Sequence, residues 1–133
     1  MGFFHFMALH YIEIGNPLST EIIVFLHEGL GCIDLWKNYP HKVCQITNFR
    51  GIVYDRSGYG KSPCSLLNRK SDYLHLAADE LGDFLSSLKL DQVHLYGHSD
   101  GGSIALLFAS KHPDKVKSII TEAAHVFNET ETI

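Results

Sequence analysis

Gly97-His98-Ser99-Asp100-Gly101-Gly102 follows directly on the apolar run Val93-His94-Leu95-Tyr96. The order predicts a strand, a sharp turn with a serine at its tip, and a helix beginning near Gly102. This is a G-x-S-x-G pattern in the strand–turn–helix setting of a nucleophile elbow. Only small flanking residues clear the backbone in so tight a turn, and Gly97 and Gly101 supply that room. Such a turn lifts the Ser99 Oγ above the C-terminal edge of a sheet. It also sets a helix N-terminus behind it, where backbone N–H groups can stabilise developing negative charge. The plainer reading is an ordinary strand-to-helix turn with a capping serine, and the rest of the chain weighs against it.

Leu9 to Ile14 alternates like a strand and stops at the turn signal Gly15-Asn16-Pro17. With the next strand it reads as a hairpin. Ile22-Ile23-Val24-Phe25-Leu26 is continuously apolar and rich in β-branched residues, the pattern of a central strand buried on both faces. Asp34 to Thr47 reads as an irregular helix, interrupted or restarted at Pro40. Gly51 to Asp55 is another buried strand, followed by the loop Ser57-Gly58-Tyr59-Gly60. The clearest helix runs from about Ser71, a good N-cap, to Leu88. Its apolar residues Leu74, Ala77, Ala78, Leu81, Phe84, Leu85 and Leu88 form one stripe. The helix from Gly102 to about Lys111 is apolar nearly all round, which predicts burial, and Pro113 ends it. Val116 to Ala123 reads as a last strand. Strands and helices thus alternate after the first hairpin. That predicts the α/β class, with a mostly parallel sheet and helices on both faces.

The 133 residues suffice for one domain with a continuous core. A net charge of −4 without a basic run argues against a nucleic-acid partner. The longest apolar stretches are strand-length, too short to span a bilayer. Met1 to Met7 is apolar but has neither a basic region nor a cleavage site, so no signal peptide is expected. Cys32, Cys44 and Cys64 lack C-x-x-C spacing. They read as reduced thiols of a cytoplasmic protein rather than a disulfide framework or zinc site. Lookalike motifs fail at single positions. Gly60-Lys61-Ser62 would need a glycine where Asp55 stands to complete a P-loop. Gly58-Tyr59-Gly60 meets Pro63 where a dinucleotide fingerprint needs its third glycine. His27-Glu28 meets Gly31 where a zinc H-E-x-x-H needs histidine.

Three segments, in order, carry a resemblance to the α/β-hydrolases. His27-Glu28-Gly29-Leu30-Gly31 follows the second strand and is similar to the family's His-Gly-x-Pro-Gly oxyanion loop. Asp55-Arg56-Ser57-Gly58-Tyr59-Gly60-Lys61-Ser62 is similar to its D-x-R-G-x-G-x-S loop, and the Ser99 elbow completes the set. The chain looks most like small carboxylesterases, C–C hydrolases and proline iminopeptidase-like members. The resemblance implies a serine hydrolase of ester or amide carbonyls acting through an acyl-enzyme, without cofactor or metal. Ser99 would be the nucleophile, and the backbone N–H groups of Gly29 and Asp100 would form the oxyanion hole. Trp36 and Tyr39 are candidates for an acyl pocket or for helix packing. Asp55 and Arg56 read as loop-fixing residues.

Two departures shape the expectations. Glu28 replaces the usual glycine of the oxyanion loop, and its carboxylate is expected to point away in a structural role. His98 is expected to point away from Ser99. The family order is Ser, then Asp or Glu, then His, yet the sequence ends at Ile133 with Glu122 and His125 as the remaining candidates. His125 is too near in sequence to fold back over Ser99. The chain therefore reads as one partial α/β-hydrolase domain over residues 1–133, truncated after about the sixth strand, with acid and histidine supplied from beyond. An unpaired last strand would then favour self-association. The rival readings are a non-catalytic binding protein of the same fold and a cofactor-free haloperoxidase or C–C bond hydrolase.

Overall fold

The computed structural model describes residues 8–63 and 72–124. The Met1–Met7 segment, Cys64, the Ser71 cap and His125 lie outside the described residues. Five strands form one sheet: β1 (Tyr11–Gly15), β2 (Ile22–Leu26), β3 (Arg50–Tyr54), β4 (Val93–His98) and β5 (Val116–Glu122), in the order β1-β3-β2-β4-β5. Three helices connect them: α1 (Tyr39–Thr47), α2 (Tyr73–Ser87) and α3 (Asp100–Lys111). The α/β class and the mostly parallel sheet agree with the sequence reading. Among the described residues the strands number five, the five that the sequence marks individually.

The expected hairpin is not there. β1 pairs antiparallel with β3, Tyr11 opposite Tyr54 and Gly15 opposite Arg50, while both edges of β2 are taken in parallel by β3 and β4. The continuous apolar run of β2 claims the centre of the sheet, which leaves β1 the outer edge of β3. The Arg50 Nε donates to Glu13 Oε1 at 2.8 Å across that pair.

Strand alternation sorts the core into two layers. Val24, Leu26, Ile52, Tyr54 and Leu95 pack against Ala78, Leu81, Phe84, Ile104 and Phe108 of α2 and α3. Ile23, Phe25, Val53 and Tyr96 pack on the other face with Cys44 and Val43 of α1 and with Trp36. The predicted stripe of α2 is the buried one, and the helix itself runs from Tyr73, with Asp72 at its N-cap. Pro40 does not interrupt a helix. A separate 3₁₀ turn covers Ile33–Trp36, and Pro40 stands in the first turn of α1, where its missing N–H costs no bond. α3 is not buried all round, because Leu106 faces outward while Ile104, Ala105 and Phe108 are enclosed. Among the described residues no helix is long and apolar enough to cross a membrane.

The topology places the site. β2 hands on to β3 through α1 on one face, and β4 hands on to β5 through α3 on the other. Adjacent strands whose connections leave in opposite directions open a crevice at their C-terminal ends, the usual ligand position in open α/β sheets. Leu26 pairs with Gly97, so the loop after β2 and the turn after β4 flank that crevice.

Candidate active site

Ser99 has φ +54° and ψ −117°, a left-handed conformation that a side chain rarely adopts. The surrounding sterics enforce it. A Cβ at Gly97 would collide with the Gly101 carbonyl and lie 2.5 Å from the Gly102 nitrogen. One at Gly101 would collide with the Leu26 carbonyl and lie 2.7 Å from the His27 oxygen. The strand β4, the helix α3 and the end of β2 therefore pack backbone to backbone, and the serine absorbs the turn. α3 starts at Asp100 rather than Gly102. The Ser99 carbonyl accepts from Gly102 N at 2.9 Å and Ser103 N at 3.1 Å, so the N–H groups of Asp100 and Gly101 precede the first intrahelical bond. Ser99 N donates to the Glu122 carbonyl at 2.7 Å, tying the elbow to the end of β5.

The loop after β2 is held by its backbone. The Glu28 carbonyl accepts from His27 Nδ1 at 2.7 Å, Arg56 Nη2 at 2.8 Å and Gly31 N at 3.1 Å. His27 Nε2 accepts from Arg56 N at 3.0 Å, which leaves the ring proton on Nδ1. Burial, seconded by the Arg56 charge, lowers the His27 pKa to about 4, so the ring is neutral. Burial also lowers the pKa of Arg56. Its guanidinium lies 4.9 Å from the Tyr59 ring centroid. Asp55 Oδ1 accepts from Ile33 N at 2.7 Å and its Oδ2 from Lys61 N at 2.9 Å. Asp55 and Arg56 thus fasten the loop after β3 to the connection between β2 and α1.

The structure brings Gly29 and Asp100 into contact: a Cβ at Gly29 would stand 2.6 Å from Asp100 Oδ2. That oxygen also accepts from Tyr73 OH at 2.8 Å. Tyr73 escaped the sequence reading because nothing local marks a tyrosine at a helix start as the partner of a residue on another helix. The Glu28 carboxylate Oε2 stands 3.6 Å from His98 Nδ1, and both side chains line a cavity of about 100 Å³ with His27, Gly31, Cys32, Leu35 and Trp36. Trp36 and Tyr39 part company. Trp36 lines the cavity, while the Tyr39 hydroxyl lies 3.0 Å from that of Tyr96 and its ring stacks behind Trp36. Glu122 ends β5 with its Oε1 accepting from Tyr96 OH at 3.5 Å.

A family profile described as the alpha/beta hydrolase fold matches residues 21–133. The chain is 31% identical over 117 residues to 2-hydroxy-6-oxononadienedioate/2-hydroxy-6-oxononatrienedioate hydrolase 1 of Dechloromonas aromatica, covering 86% of this chain and 39% of that protein. A marine microorganism esterase superposes with a TM-score of 0.75 at 30% identity, over 86% of this chain and 41% of the other. A carboxylesterase structure from the ammonia-oxidizing Thaumarchaeon Nitrososphaera gargenis superposes with a TM-score of 0.79 at 26% identity, over 93% of this chain and 44% of the other. The chain spans about two fifths of the length of these relatives. With the elbow and both loops in place over that span, the chain belongs to the alpha/beta hydrolase fold family.

Proposed function

We propose that Ser99 is the nucleophile of a serine hydrolase that cleaves an ester or amide carbonyl through an acyl-enzyme. The observation that carries this reading is the serine held at φ +54° between a buried parallel strand and a helix N-terminus. Attack by its Oγ places negative charge on the carbonyl oxygen, and the N–H groups of Gly29 and Asp100 receive it. Three donors on the Glu28 carbonyl support the first assignment, since they fix the 28–29 peptide and a trans peptide turns its N–H to the opposite side. For Asp100 the support is an N–H without an intrahelical acceptor at the positive end of α3. Each such donor is worth ~10²–10³ in rate. His27 is no general base, because both ring nitrogens are engaged. The base and its acid are contributed from polypeptide outside residues 1–133, and the rest of the substrate's contacts come with them.

The test is hydrolysis of p-nitrophenyl acetate and labelling by a fluorophosphonate, using the gene product at its native length. Wild-type protein should turn over the ester and carry the adduct on the peptide containing Ser99. Ser99→Ala should lose the adduct and roughly 10⁶-fold in turnover. An adduct elsewhere, or full activity in Ser99→Ala, refutes the assignment. Absence of labelling in folded wild type favours the non-catalytic reading.

A further inference from the structure

We propose that Ser118 is a nucleophilic serine separate from Ser99, with His94 as its base, and that it takes the acyl group from activated esters of short acids. It stands at the other end of the sheet from the elbow. His94 is near the start of β4 and Ser99 just beyond its end, a span of roughly 15 Å at the usual strand rise. Three side chains are bonded there in series. The Ser118 Oγ lies 2.7 Å from His94 Nδ1, and His94 Nε2 lies 2.8 Å from Glu21 Oε1. Pairing of β4 with β5 sets His94 opposite Ser118, and Glu21 immediately precedes β2 on the other side of β4.

The carboxylate fixes the direction of both bonds. The hydrogen bond from His94, seconded by that from Lys117, holds the Glu21 carboxyl below its usual range, so it is ionised at neutral pH and only accepts. Lys117 Nζ donates to Oε2 at 2.9 Å, which leaves Oε1 to the imidazole. His94 therefore carries a proton on Nε2. In the neutral ring Nδ1 is then a lone pair, and the Ser118 hydroxyl is the donor. A nucleophile bonded to a base that a third group orients is the arrangement of an activated serine. Phe49 stacks on the imidazole, with centroids 5.0 Å apart and planes 20° apart, and holds the ring. Ser118 is exposed, so an ester can reach it. Ser110 is exposed too, but its hydroxyl donates to the Leu107 carbonyl at 2.8 Å, and an amide oxygen is too weak a base to take its proton. In the reaction Ser118 Oγ bonds to the acyl carbon and its proton passes to His94 Nδ1. The bond to the leaving oxygen breaks, that oxygen departs with the electron pair, and the imidazolium returns its proton to water.

The test uses the Ser99→Ala protein at its native length, treated with p-nitrophenyl acetate at neutral pH and mapped by peptide mass spectrometry. Ser118 should gain one acetyl group, removable by hydroxylamine as an ester is, with one p-nitrophenolate released for each. It should do so about 10²-fold faster than Ser110, the low end of what general-base assistance gives. His94→Gln should bring Ser118 down to the Ser110 rate. Glu21 is a positioning residue, and its test is the tautomer. In Glu21→Gln, Lys117 claims the amide oxygen and the NH₂ faces His94, which moves the ring proton to Nδ1 and slows Ser118 to the same level. Ring ¹⁵N chemical shifts of His94 should show Nε2–H in the parent protein and Nδ1–H in Glu21→Gln, a change that a merely structural role would not produce. The comparison of Ser118 with Ser110 within one protein stands even if a variant misfolds. Equal acetylation of the two serines, an acetyl on Lys117 in place of Ser118, or Nδ1–H in the parent protein overturns the proposal. Acetyl transfer without Ser99 is read separately from the fluorophosphonate adduct on Ser99, so either reading can fail alone.

Discussion

Ser99→Gly should give a more stable protein than Ser99→Ala. Both variants remove the hydroxyl and whatever it touches, so the difference between them isolates the backbone. At φ +54° and ψ −117° any residue with a Cβ is strained, and a residue in such a region costs of order 1–3 kcal/mol. Glycine relieves that cost but adds about 0.5–1 kcal/mol of backbone entropy to be lost on folding. The turn has little room to relax around an alanine instead, because even a Cβ at Gly97 or Gly101 would collide with an opposing carbonyl. The net advantage of glycine is about 0.5–2 kcal/mol, or roughly 2–8 °C in Tm for a chain of this size. Urea denaturation of both variants, followed by far-UV circular dichroism, measures it without any need for activity. A Ser99→Gly protein less stable than Ser99→Ala by about 1 kcal/mol would mean that the elbow stores no strain, and the steric account of the turn would fail.

Acid should destabilise the fold through His27. Its pKa falls from 6.5 to about 4 in the folded protein, so the unfolded chain binds the extra proton in between. Stability from this group is full above pH 6.5 and is lost as pH falls toward about 4, by about 3 kcal/mol. Urea midpoints measured down that range should drop more steeply for wild type than for His27→Gln, and parallel curves would refute it. Gly29→Ala puts a methyl 2.6 Å from Asp100 Oδ2 and should push that carboxylate off Tyr73. Gly29→Pro deletes the N–H itself, so fluorophosphonate labelling of the native-length protein should slow by about 10²-fold, and an unchanged rate in the folded variant would remove Gly29 from the oxyanion hole. A polypeptide of residues 1–133 should self-associate through β5, which pairs only with β4 among the described residues and leaves Ile120 half exposed. Sedimentation across a concentration series should show it, with Ile120→Lys shifting the balance toward monomer. A monomer at every concentration would count against it.

Local sterics and periodicity made much of this protein legible in its sequence. The elbow could be read because Gly97 and Gly101 answer contacts within a few residues of Ser99 and at the neighbouring strand end. β2 could be read because a strand buried on both faces must be apolar at every position, and α2 because its stripe repeats with the helix. Other features rest on residues that meet only after the chain has folded. β1 carries no mark that sends it to β3 rather than β2, since that choice depends on which strand takes the centre of the sheet. Tyr73 and Asp100 stand on different helices, and their hydrogen bond exists because both helices pack on one face. The fixing of the 28–29 peptide was the hardest to foresee. It follows from three donors that pin the Glu28 carbonyl, two of them side chains brought by His27 and Arg56 from adjacent strand ends. The sequence determined that a serine would stand at the tip of a strained turn. Only the packing of loops across the sheet decided that a carboxylate and an indole would share the cavity beside it, because side-chain direction in a loop is set by contacts distant in sequence.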